Sequence, residues 1–138
     1  YFYKTETFTG MFGLPFASMQ WTPSYPWSLS LSLFGPILSS ELSYGTIDRY
    51  QIFAKAGWSR QMFLLSDRVQ QKDRLTVEDK KTVIGVRTPL FWKINSELQA
   101  GYIFGRHVYI GNGLFKKDGG SRDLDASLYL SWSLRLAF

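Results

Sequence analysis

LDASLYLSWSLRLAF, residues 124–138, alternates almost without fault. Its even positions are Leu124, Ala126, Leu128, Leu130, Trp132, Leu134, Leu136 and Phe138. Its odd positions are Asp125, Ser127, Tyr129, Ser131, Ser133, Arg135 and Ala137. Successive side chains of a strand point to opposite faces. This segment therefore has one wholly apolar face and one mostly polar face. A strand of that length and pattern has two physical hosts, a large soluble core or the hydrocarbon of a bilayer.

The same period of two recurs upstream. Residues 27–34 read WSLSLSLF and end at Gly35-Pro36, a turn signal. Leu38, Leu42 and Tyr44 alternate with Ser39, Glu41 and Ser43, and a short turn follows at Gly45–Asp48. From Tyr50 to Leu64 the even face carries Tyr50, Ile52, Ala54, Ala56, Trp58, Arg60, Met62 and Leu64, and the odd face carries Gln51, Lys55, Ser59 and Gln61 but also Phe53 and Phe63. Ser66–Arg74 reads as a long polar loop, Leu75–Thr88 as a less regular strand and Pro89–Trp92 as a tight connection. Residues 94–110 form a long alternating strand with Glu97, Gln99, Gly101 and His107 on its odd face. Gly111–Asp123 reads as a second long loop. Phe2–Thr9 and Phe16–Thr22 are shorter candidates, with Pro15 and Pro23 at strand ends because proline cannot donate to a ladder.

These segments make about eight strands. An up-and-down order puts the two long loops on one side and the short turns Gly45–Asp48 and Pro89–Trp92 on the other. Short turns on one side and longer loops on the other is the pattern of outer-membrane barrels. The expected fold is all-β: an antiparallel up-and-down transmembrane β-barrel of about eight strands, or the C-terminal portion of a larger barrel. Residues 1–138 form one domain, expected to be a piece of a longer exported protein because the first residues already look like a strand.

Composition agrees with this fold and excludes several functions. Of 138 residues, 17% are aromatic and the mean hydropathy is −0.13, a value that alternating strands produce in or out of a membrane. No run approaches the ~18 apolar residues of a spanning helix. Cysteine is absent, which removes disulfides and thiol chemistry. The net charge is +5, but the cations are scattered along the chain, so nucleic acid is not an expected partner. One histidine without cysteine matches no zinc or calcium pattern; no metal and no cofactor is expected.

Gly57-Trp58-Ser59-Arg60, Gly85-Val86-Arg87 before Pro89-Leu90, Ala100-Gly101-Tyr102-Ile103-Phe104-Gly105-Arg106 and the strand ending in Phe138 resemble the C-terminal part of an uncharacterised family of predicted bacterial outer-membrane β-barrel proteins. The likeness spans roughly residues 35–138. It implies a bacterial outer-membrane location, and Phe138 resembles the terminal signal read by the barrel-assembly machinery. Outer-membrane lipids, with lipopolysaccharide among them, are the other implied partners. The family has no assigned catalytic residues.

Within this fold Glu41, Lys55, Arg87, Glu97, Gln99, Asp125 and Arg135 are the candidate lumen lining, either selecting solutes by charge or filling a narrow interior as ion pairs. Leu128, Leu130, Trp132, Leu134 and Leu136 are the candidate lipid-facing residues. Trp21, Tyr25, Trp27, Phe91 and Trp92 on the short-turn side, and Tyr102, Phe104 and Tyr109 on the long-loop side, are candidates for two interfacial girdles. Arg68, Lys72, Arg74, Lys116, Lys117 and Arg122 on the long loops are candidates for lipopolysaccharide phosphates. The expected role is structural or passive transport, without catalysis. Two alternatives are a membrane-embedded lipid hydrolase using His107 and a soluble lipocalin-like calyx lined by the apolar faces.

Overall fold

The computed structural model describes residues 1–46, 48–64, 74–91, 94–111 and 121–136. They form one antiparallel sheet of ten strands. In chain order these are β1 (Phe2–Lys4), β2 (Phe8–Gly13), β3 (Phe16–Trp21), β4 (Trp27–Phe34), β5 (Ile37–Thr46), β6 (Tyr50–Leu64), β7 (Arg74–Phe91), β8 (Ile94–Gly111), β9 (Ser121–Leu124) and β10 (Ser127–Leu136). Each strand through β8 pairs with the next, and both β9 and β10 pair with β8. The sheet is open: β1 and β10 are not paired with each other.

The expected count of about eight becomes ten for two local reasons. The first candidate strand is broken at residues 5–7, where the Thr5 hydroxyl accepts from the Phe8 amide and closes a turn between β1 and β2. The last is broken at Asp125-Ala126, and residues 121–123, expected in the loop, extend it upstream as β9. Still, β9 and β10 keep one continuous register against β8, with Leu124 opposite Arg106 and Ser127 opposite Ile103. That break faces Phe104-Gly105. There β8 carries one residue more than β7, between the pairs Lys80–Phe104 and Glu78–His107. Gly105 sits at φ +56°, a conformation that costs L side chains roughly 1–2 kcal/mol. The bulge bends β8 and reverses the face count beyond it. His107 and Tyr109, which simple alternation groups with Glu97, instead oppose Glu78 and Thr76.

Below the bulge, residues of matching parity line up in rows across the strands. Leu29, Leu42, Ala54, Ile84, Ala100 and Leu130 form one row; Trp27, Tyr44, Ile52, Val86, Leu98 and Trp132 form the next. The opposite face has the rows Ser28–Ser43–Phe53–Gly85–Gln99–Ser131 and Gln51–Arg87–Glu97–Ser133. The burial of these two faces is inverted relative to a soluble sheet. Leu128, Leu130 and Trp132 are 83%, 75% and 65% exposed, while Glu97 and Arg87 are 2% and 9% exposed. The curvature of the sheet closes over the polar face and leaves the apolar face outside. Gly85 contributes to that curvature: a Cβ there would lie 2.5 Å from the Phe53 ring and 2.7 Å from the Leu98 carbonyl oxygen. The ring of Phe53 fills this gap and is 1% exposed.

Candidate polar cluster on the concave face

Phe53 is the floor of a charged cluster drawn from five strands. Arg87 on β7 lies over its ring at 4.1 Å, and the Lys55 ammonium on β6 lies 4.4 Å from the same centroid. Arg87 uses every guanidinium nitrogen. Its Nε donates to Glu97 Oε2 on β8 at 2.7 Å. Its Nη1 and Nη2 donate to the two oxygens of Glu41 on β5 at 2.6 and 2.9 Å, and Nη1 also donates to Gln51 Oε1 at 2.7 Å. Lys55 lies 3.2 Å from Glu41 and 3.7 Å from Glu97. Arg135 on β10 reaches Glu97 at 3.2 Å.

The register explains how the cluster assembles. Glu41 directly opposes Lys55, and Arg87 directly opposes both Gln51 and Glu97. Opposite charges facing across a strand pair attract. Arg87 then spans the Phe53 row to reach Glu41, a bidentate geometry that a planar guanidinium supports and an ammonium does not. Two carboxylates and three cations leave a net charge of about +1 on the group, counted from ordinary ionisation.

Of the sequence candidates, Glu41, Lys55, Arg87, Glu97 and Arg135 come together here. Gln99 shares the face in the neighbouring row and is half-buried. Asp125 does not join: it lies exposed in the break between β9 and β10. Gln51 and Phe53 belong to the cluster and were not among the candidates. The available signal was a phenylalanine in the middle of the polar face of β6, where Phe63 is the other, with a glycine on the neighbouring strand.

Leu128, Leu130, Trp132 and Leu134 are all exposed on the apolar face. The Leu136 side chain and Phe138 lie outside the described residues, as do Trp92, Arg68, Lys72, Lys116 and Lys117. On the short-turn side Trp27 meets Tyr44 edge-on at 4.8 Å, and the Trp132 indole donates to Ser96 at 2.8 Å. On the other side Tyr102 and Phe104 stack at 6.3 Å. Tyr109 is not part of that exposed group. Beyond the bulge it is buried and its hydroxyl accepts from Arg60.

His107 pairs with the residue opposite it on β9: Nδ1 lies 2.5 Å from Asp123 Oδ1. A carboxylate on Nδ1 orients an imidazole as in a triad, but among the described residues no serine hydroxyl bonds the ring. No group of three or more metal-ligating side chains occurs among the described residues. No family model, no curated protein and no solved structure matches the chain.

Proposed function

We propose that this chain is a wall segment of a bacterial outer-membrane β-barrel with a structural or passive-transport role, its apolar face in lipid and its concave polar face toward the lumen. The inversion of the two faces carries the reading. A soluble sheet covers its apolar face, and contiguous exposed apolar patches beyond a few hundred Å² mark contact surfaces. A lipocalin-like calyx puts apolar side chains on the concave side, where this sheet holds Glu41, Arg87 and Glu97.

The height of the apolar face supports the same reading. Above the row of Leu38, Trp58, Lys80 and Phe104, the residues of matching register are Arg60, Glu78, His107 and Asp123. From Ile94 to Phe104 there are about ten intervals of ~3.4 Å, which at the ~40° tilt of membrane strands gives ~26 Å, against the ~25 Å band of outer-membrane barrels. The upper parts of β6, β7 and β8 then stand outside the bilayer.

Because β9 and β10 share one register, the sheet has nine strand positions, and β1 and β10 run in the same direction. Bacterial barrels close with even strand numbers, and unpaired edges do not persist in lipid. The reading is therefore a portion of a larger barrel, closed by further strands between β10 and β1. It carries no catalytic step.

The test is extraction and gel mobility. Release from cell envelopes only by detergent, with heat-modifiable migration, is the expected result. Full solubility without detergent refutes the proposal. Conductance in a planar bilayer distinguishes passive transport from a purely structural wall.

A further inference from the structure

We infer that the apolar face carries a seat for one anionic phospholipid, its acyl chain in a furrow along β6 and its headgroup on Lys80. This rests on the membrane reading above and deepens it. The furrow has a volume of 570 Å³ at mid-height and continues into a second hollow of 310 Å³ toward the long-loop side. Both are shaped by side-chain size. On β6 the outward residues Ala54 and Ala56 lie between Ile52 and Trp58, and Ser40 and Thr82 flank Ala56 on the neighbouring strands. Leu42, Ile84 and Tyr102 wall the depression. A uniform wall of leucines meets lipid tails evenly; a trough walled by large side chains holds one chain in a fixed place.

The upper hollow ends at Lys80, and this second observation identifies the ligand's charge. Lys80 is exposed on the apolar face, directly between Trp58 and Phe104. Among the described residues no carboxylate pairs with it. The nearest acid on its own face, Glu78, accepts the Trp58 indole N–H at 2.8 Å. An unpaired ammonium at the rim of a lipid-facing wall has an anionic headgroup as its natural partner, at the depth where phosphates lie. Lys4 on β1 offers a control: it carries the same charge, is exposed and lines neither hollow.

The experiment is native mass spectrometry of the full chain released from mixed micelles containing phosphatidylglycerol and phosphatidylcholine with identical acyl chains. The wild type is expected to retain phosphatidylglycerol preferentially. Lys80→Gln should lower that retention about fivefold, to the level of phosphatidylcholine, and Lys4→Gln should leave it unchanged. Ala56→Phe, which fills the furrow, should lower retention of both lipids. Equal retention of the two lipids by the wild type, or equal effects of Lys80→Gln and Lys4→Gln, overturns the inference. Heat-modifiable mobility is read on every variant. Its absence in the wild type is a failure of the membrane reading; its presence with unselective lipid retention is a failure of the lipid seat alone.

Discussion

Replacing Arg87 with methionine removes the centre of the concave cluster while keeping comparable side-chain bulk. Glu97, at 2% exposure, would lose its 2.7 Å partner and keep only Lys55 at 3.7 Å and Arg135 at 3.2 Å. Glu41 would lose a bidentate pair and keep Lys55. Breaking a buried ion pair from one side costs ~3–5 kcal/mol, since the partner stays desolvated. The remaining cations and the partial exposure of Glu41 place Arg87→Met near the lower end, ~3 kcal/mol, or about 150-fold in the folding equilibrium. The assay is urea unfolding from lipid vesicles, followed by tryptophan fluorescence. The double variant Arg87→Met/Glu97→Met removes the stranded charge as well as its partner. It should lose less than the sum of the two single changes, with a coupling of ~1–3 kcal/mol. An Arg87→Met protein within ~0.5 kcal/mol of wild type, or single costs that simply add, refutes the view of these residues as one buried unit.

Two further substitutions probe the faces separately. Leu130→Lys, in the middle of the apolar face, should cost ~2–4 kcal/mol in a bilayer, and Leu134→Lys, nearer the short-turn rim, only ~0–1. On a water-exposed surface both would stay within ~0.5 kcal/mol, so equal and small effects in the same unfolding assay count against lipid contact. Gly85→Ala should cost ~1–3 kcal/mol, because its Cβ meets the Phe53 ring at 2.5 Å and the Leu98 carbonyl at 2.7 Å. In the Gly85→Ala/Phe53→Leu background only the ring's share of that strain should be relieved, and a full recovery would show that the backbone contact is inconsequential.

The strands were legible because their pattern is the simplest in proteins, and burial follows it directly. Residues 27–34, 50–64 and 94–110 read as strands from alternation, and β4, β6 and β8 occupy nearly those bounds. The cluster was legible as a set of charges on one face for the same reason. Its centre was not. Arg87 reaching Glu41 depends on the sheet curving, and the curvature depends on a glycine and a phenylalanine that meet only when β6 and β7 pair. The bulge at Gly105 was also beyond an alternation count. One extra residue on β8 has no signature in hydropathy, yet it moves His107 and Tyr109 to the other face and breaks the terminal strand opposite it.

That bulge joins the two halves of the argument. It lies at the edge of the exposed apolar rows: beyond Phe104 its face on β8 carries His107, opposite Glu78, and then the buried Tyr109. A continuing alternation of two would have carried Arg106 onto the face of Phe104 and His107 onto the face of Glu97. The inserted residue instead brings His107 over Phe104, beside Glu78 and opposite Asp123. Polar side chains with partners of their own thus begin one step above Lys80. A sheet surrounded only by water gains nothing from limiting an exposed apolar band to a fixed height. A sheet that crosses from hydrocarbon into water needs that limit on every strand at once, and an insertion in one strand lets β8 keep its pairing while changing what it presents.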